Sequence, residues 1–310
     1  MITGRCLNEK YLEDIRQEVI SECNDFKSRN YVQSQILEFI TDGDFKYMPM
    51  GSSNSIREIQ YEDLLKFQRN YFRPENLAII VIGDVNLEHT EKKIKEKFAF
   101  KNKVNIDKND ATYNMEVYQD NRVKTIVNYE KENVVKVYYR FNYNTNTIKN
   151  RLIMYFVDAM LKQYLEKEML NNKLKLSEVM CLRKMNVYRY NYYMIIFKFE
   201  DSINEDFEDT YSNIINKLLK YEIEEREFDK QKNELLDIIK IIHEDNEAQN
   251  TEEVSIEYIN NFFEEESVMM IKKDYNLILS ELEYVNYEHI NDLIKQIVKG
   301  CFRMVKLLTE

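Results

Sequence analysis

Residues 77–82, LAIIVI, constrain this chain more than any other stretch. The run is apolar, mostly β-branched, and bounded by turn residues: Pro74 before it, Gly83 and Asp84 after it. The chain has only two prolines and five glycines, and it places one of each here. Apolar residues stand at both odd and even positions, so neither face of a strand formed here suits water. That pattern predicts a strand buried on both faces. The preceding segment, YEDLLKFQRNYF (61–72), reads as an amphipathic helix carrying Leu64, Leu65 and Phe72 towards a core. It must end before Pro74, which disfavours the helical conformation at Arg73. After Gly83 and Asp84, NLEHTEKKIKEKF (86–98) starts another helix, with Leu87, Ile94 and Phe98 on one side. Helix, strand, helix is an α+β or α/β unit.

The same order returns at the end of the chain. YEDLLKFQRNYFRPENLAIIVIGD begins at Tyr61, and YEHINDLIKQIVKGCFRMVKLLTE begins at Tyr287. Both read Tyr-Glu, amphipathic helix, turn, apolar strand, which points to two copies of one α+β fold. Residues 9–23 predict a helix with Leu12, Ile15, Val19 and Cys23 on one face, and residues 41–55 predict a loop punctuated by Gly43, Pro49 and Gly51. Residues 101–114 are polar and without period, as a linker is. Beyond them, RVKTIVNYE and NVVKVYYRFNY predict strands, and residues 148–170 a long helix. VYRYNYYMIIFKFE (187–200) predicts a further strand, and helices are expected over 204–219, 226–245 and 252–264. The expected domains are therefore residues 1–105, a linker over 106–120, and residues 121–310. The first copy is the shorter by far, as if truncated on its N-terminal side.

Composition narrows the function classes. Hydrophobic residues make up 44%, and 23 tyrosines and 16 phenylalanines need a core to shelter them. The net charge of −11 argues against nucleic acid, because neutralising phosphates takes clustered Lys and Arg. No apolar run nears the roughly 18 residues that cross a bilayer, and residues 1–20 are charged throughout, unlike a signal peptide. Cys6, Cys23, Cys181 and Cys301 are scattered without C-x-x-C spacing and read as free thiols of a reducing compartment. A cytoplasmic location is the resulting expectation.

Several motifs together resemble a known family. They are a Pro-x-Gly loop (Pro49 to Gly51), an Ile-x-x-Ile segment (Ile56 to Ile59), a helix ending in an aromatic-Tyr-x-Pro-x-Asn-type turn (Tyr71 to Asn76), and a strand ending in Gly-Asp (Ile79 to Asp84). This set resembles the insulinase/pitrilysin-type zinc metallopeptidases, the inverzincins, and is most similar to their bacterial branch. The resemblance is strong over residues 45–98 and architectural from 120 onward. It implies an α+β fold of tandem insulinase-like domains, each a mixed sheet packed with helices, facing one another across a closed chamber.

The family's chemistry rests on H-x-x-E-H, whose two histidines sit on one helical face and bind zinc while the glutamate polarises the attacking water. This chain has three histidines, His89, His243 and His289, and no two are four apart. DIRQEVISEC (14–23) resembles the family's second metal-binding helix and puts Glu22 at a ligand position. Ile15 stands where the family usually has an acidic residue, so the resemblance implies a remnant at Glu22 rather than a working ligand. No substrate-contacting Arg and Tyr pair carries over from residues 164–180. The expectation is a non-catalytic subunit, or a partial chain, of such a peptidase. It would contribute chamber wall and peptide binding, with peptide or unfolded polypeptide as one partner and another insulinase-like chain, or itself, as the other. No cofactor is expected on this chain alone; zinc would need completion by another chain or a preceding segment. The alternative is a free-standing binding or scaffold protein that kept the fold. The Tyr-rich strand at 187–200 is either a peptide-binding face or a set of half-buried strand residues.

Overall fold

The computed structural model describes residues 8–29, 31–43, 51–72, 76–98, 117–128, 132–187, 190–245 and 250–309. Most of the expected linker, and both prolines, lie outside those residues. Two compact units emerge: Met1–Ser34 with Asp44–Ala111, and Gln35–Gly43 with Thr112–Glu310.

The first unit is helical among its described residues. It contains α1 (Leu12–Arg29), the start of α2 (Tyr31–Ile40), α3 (Ser53–Glu58), α4 (Tyr61–Tyr71) and α5 (Leu87–Phe98). Its core is small. Ile20 and Cys23 of α1 meet Ile56 of α3, with Val19 alongside. The Arg16 guanidinium donates to the Ile56 and Arg57 carbonyls at 2.6 and 3.1 Å, satisfying acceptors at the end of α3. The buried face of α1 therefore runs through Arg16, Ile20 and Cys23. Ile15, expected on it, is 52% exposed. Gly51 holds φ at +73°, and a Cβ there would come within 3.0 Å of Ser55 Oγ, so glycine alone suits the start of α3. Ser52 and Ser55 cap that helix reciprocally, which places a helix start inside the expected loop.

The strand expected over 77–82 does not form. Those residues are neither helical nor laddered, and Leu77, Ile79, Ile80 and Val81 remain exposed. A strand is stable only beside neighbours. Among the described residues, no backbone group hydrogen-bonds to this segment.

The second unit carries the sheet. Its elements are β1 (Arg122–Asn128), β2 (Asn133–Arg140), α6 (Ile148–Asn171), β3 (Leu176–Val187), β4 (Tyr190–Phe199), α7 (Phe207–Leu218), α8 (Glu225–Glu244), α9 (Thr251–Glu264), α10 (Ile271–Glu283), α11 (Tyr287–Lys299) and β5 (Phe302–Thr309). The five strands are ordered β1-β5-β2-β4-β3, parallel between β1 and β5 and antiparallel elsewhere. This mixed sheet with its helices is the α+β fold expected. Val135, Val137 and Tyr139 of β2 join Ile195, Phe197 and Phe199 of β4 on the helix-covered face. Helix α6 is buried on nearly all sides from Arg151 to Leu161, because sheet and helices both lie against it, and on one side from there to Met169. The amphipathic α11 buries Ile290, Leu293, Ile294, Ile297 and Val298. Its buried Asn291 receives the Ile223 N–H at 2.8 Å and donates to the Ile223 carbonyl at 3.1 Å, pinning the approach to α8. Strand β3 and helices α2 and α10 fall where the sequence carried no assignment.

Candidate functional site

The residues singled out for zinc chemistry do not come together. Glu22 lies exposed on α1, one residue before the buried Cys23. His89 opens α5, where its backbone N–H is capped by Asn86. His243 stacks on Tyr275 at 3.9 Å between ring centres, and His289 sits exposed at the start of α11. Among the described residues, no three His, Cys, Asp or Glu side chains gather as metal ligands. A catalytic zinc takes about three protein ligands plus water, so the described residues do not fit one.

The strongest polar constellation is a cluster in the second unit, on the sheet face opposite α6. Helix α2 ends with Asp42 in the left-handed region, φ +54°, followed by Gly43 at +83°. The Ile40 carbonyl, orphaned at that helix end, accepts from the hydroxyls of Tyr118 at 2.6 Å and Tyr192 at 2.9 Å. The Asp42 carboxylate accepts from Arg303 at 2.6 Å and Arg140 at 3.0 Å. Both guanidinium groups lie against the Tyr118 ring, at 4.1 and 4.3 Å from its centre. Arg303 also donates to the Asp120 carbonyl at 2.6 Å, and Asp120 is held below its ordinary pKa by its hydrogen bond to Arg122. Burial raises Tyr118 well above the usual phenol range. The phenols stay neutral and both carboxylates are paired with arginines, so this cluster fastens residues 35–43 to the sheet and offers no nucleophile or base. The Asp42-Gly43 pair just past the amphipathic segment Tyr31–Ile40 signals the helix end. Nothing local signals the arginines, which come from distant strands.

A second feature is a shallow aromatic cleft at the ends of β2 and β4, lined by Phe141, Tyr143, Thr145, Met154, Asn191 and Tyr193. Phe141 stacks on Tyr143 with rings 6.3 Å apart, and Tyr193 meets Phe141 edge-on. Asn191 donates to Asn142 at 3.0 Å. Its own side-chain carbonyl is buried without a hydrogen-bond partner among the described residues. Beneath the cleft, Tyr193 donates to Asp158 at 2.8 Å, and burial pushes both Tyr193 and Cys181 up. Of the tyrosines in the Tyr-rich stretch, Tyr192 and Tyr193 are 1% exposed and belong to the packed interior.

The comparisons with known proteins agree with this architecture. A family model described as the peptidase M16 inactive domain matches residues 58–235. No curated protein matches the chain. Among solved structures, the first half of the periplasmic protease PqqL from Escherichia coli is similar at 14% identity and a TM-score of 0.79, over 97% of this chain and 66% of that one. A protease from Helicobacter pylori is similar at 18% identity and a TM-score of 0.60, over 97% and 73%. The peptidase M16 inactive domain from Pseudomonas fluorescens is similar at 12% identity and a TM-score of 0.62, over 98% and 71%. At these identities the likeness is one of fold. The chain spans about two thirds of the PqqL half and 34% of the whole PqqL chain.

Proposed function

The chain belongs to the peptidase M16 inactive-domain family, and from that premise we propose that it is a non-catalytic component of an insulinase/pitrilysin-type zinc peptidase, forming chamber wall and binding unfolded polypeptide. The observation that carries this reading is the match of residues 58–235 to the family's inactive domain. The aromatic cleft supports the peptide-binding part: Phe141 and Tyr143 offer an apolar surface, and the Asn191 side-chain carbonyl offers an acceptor for a peptide N–H.

Zinc enters this reading only through another chain or a preceding segment carrying H-x-x-E-H, with Glu22 as the one residue here at a family ligand position. The test is reconstitution. The purified chain alone should bind a reduced, carboxymethylated polypeptide, measured by fluorescence anisotropy, and should leave it uncleaved. Joint replacement by Phe141→Ala and Asn191→Ala should weaken that binding roughly tenfold. Chelator-sensitive cleavage should appear only on mixing with an H-x-x-E-H chain. Cleavage by the isolated chain, abolished by Glu22→Gln, would sink the proposal.

A further inference from the structure

We propose that the aromatic cleft at the ends of β2 and β4 receives one tryptophan side chain of a bound polypeptide, with Asn191 accepting from the indole N–H. The proposal rests on the peptide-binding reading above and names the residue type that the cleft selects.

Donors and acceptors around the cleft do not balance. Its tyrosine hydroxyls are already donating: Tyr143 to Asn150 at 3.4 Å, Tyr192 to the Ile40 carbonyl at 2.9 Å and Tyr193 to Asp158 at 2.8 Å. The Asn191 amide donates to Asn142 at 3.0 Å. The Asn191 side-chain carbonyl is left over, buried and without a hydrogen-bond partner among the described residues. An orphaned buried acceptor is costly, and a donor that reaches it recovers that cost. The group that matches this surplus brings a donor and no acceptor. A backbone amide brings its own carbonyl, and hydroxyl and amide side chains bring lone pairs. The indole of tryptophan is a donor only. Lysine and arginine are donors only as well, but they carry charge. Among the described residues, none that lines the cleft is charged, so a cation there would lack a counter-charge.

The walls suit a flat ring. Phe141 and Tyr143 stack with their planes 6° apart, and Tyr193 meets Phe141 at 89°. A further ring extends such a set by offset or edge-on contact. The buried Met154 adds a thioether, which packs well against ring edges. The cleft holds about 320 Å³, part of it open to solvent. That is the small end of ligand sites, ~300–1,000 Å³, and suits one large side chain rather than a long segment. The acceptor is shut off from water, so entry requires the wall to give way. Phe141 is half-buried, and its hydrocarbon ring gives up no hydrogen bond in swinging aside.

Residues 1–310 contain no tryptophan, so the occupant is not among them, and a second copy of these residues cannot supply it. The zwitterion of free tryptophan fits poorly, because its ammonium and carboxylate would find no charged partner in the lining. A tryptophan inside a polypeptide carries neither charge.

The experiment measures binding of labelled peptides to the purified full chain by fluorescence anisotropy. The peptides share neutral Gly-Ser flanks and differ at one central residue: tryptophan, tryptophan methylated on the indole nitrogen, phenylalanine or lysine. The tryptophan peptide should bind tightest. The methylated and phenylalanine peptides keep a ring and lack the N–H, and should bind roughly tenfold more weakly, as the loss of one hydrogen bond to a buried acceptor predicts. The lysine peptide should not bind. On Asn191→Leu, the tryptophan and methylated peptides should bind within about twofold of each other. Equal binding of those two peptides by the unaltered chain overturns the proposal without recourse to any variant. A tryptophan preference that survives Asn191→Leu, tighter binding of free tryptophan than of the peptide, or no binding because another segment of the same polypeptide fills the cleft each overturn it too. Binding of carboxymethylated polypeptide with no preference for tryptophan removes this assignment and leaves the proposed function standing. A tryptophan preference among short peptides, without binding of unfolded polypeptide, does the reverse.

Discussion

Helices α4 and α11 begin with the same Tyr-Glu pair and carry apolar residues at nearly the same spacing, yet α11 buries five of them and no residue of α4 is buried. The difference lies in the surroundings. Amphipathicity provides a face; only a neighbouring sheet and helix turn that face into stability. The second unit has the neighbours and a continuous core from β2 to α11. Among its described residues, the first has the three-residue contact of Ile20, Cys23 and Ile56. The apolar burial among the described residues therefore lies mainly in the second unit.

The widest separation between the units should come from alkali. Burial raises the pKa of Tyr118, Tyr138, Tyr139, Tyr193 and Tyr211, all in the second unit. The unfolded chain releases these protons near pH 10, while the folded form retains them. Their contribution is thus complete below pH 10 and is lost as pH rises beyond it, by up to about 1.4 kcal/mol per group for each pH unit. The second unit should unfold cooperatively above pH 10, with phenolate absorbance at these tyrosines appearing together with loss of sheet circular dichroism. Gradual ionisation with the sheet intact would mean that the core is looser than drawn.

Core truncation comes next. Phe197 is fully buried against Phe207 and Tyr211. Phe197→Ala should cost about 3–5 kcal/mol, read from the denaturant midpoint of the sheet signal. Asp42→Ala tests the polar cluster. It strands Arg303, 2% exposed, and Arg140 without their shared carboxylate. The loss should be about 3 kcal/mol, below the top of the range for breaking a buried pair because Asp42 is itself one-third exposed. Arg303→Leu together with Asp42→Ala should recover part of it, since the more deeply buried of the two arginines that lost Asp42 is then gone as well.

What the sequence made legible follows from the same contrast. Strands β1, β2, β4 and β5 and helices α6, α7, α8, α9 and α11 each show their period locally, and the structure holds them where expected. Strand β3 escaped because its register shifts between Leu176 and Glu178 and again between Leu182 and Met185, which breaks the two-residue alternation. Helix α10 was within reach: Ile271, Tyr275, Ile278 and Leu282 recur at helical spacing. The α1 face was misplaced by one residue because Arg16, a charged side chain, occupies the buried stripe by binding the α3 carbonyls. LAIIVI was read as a formed strand and is not one here, since sequence reports what a segment suits and not whether its neighbours are present. The Asp42 cluster was opaque for a related reason. Its members lie up to 261 residues apart in sequence, and no local pattern links them.

The smallest expected effect is the most discriminating. In the free chain, Ile80 is 41% exposed and touches no ladder. Ile80→Lys should therefore change the stability of the isolated chain by less than about 0.5 kcal/mol, as surface substitutions do. Were LAIIVI already an interior strand, the same substitution would bury an unpaired ammonium and cost several kcal/mol. Thermal or denaturant unfolding of the isolated chain separates the two cases. Indifference would show that these six residues stand outside any packed sheet of the chain. A large loss in the free chain would mean that the first unit builds its own sheet, and the contrast between α4 and α11 would then have to be withdrawn.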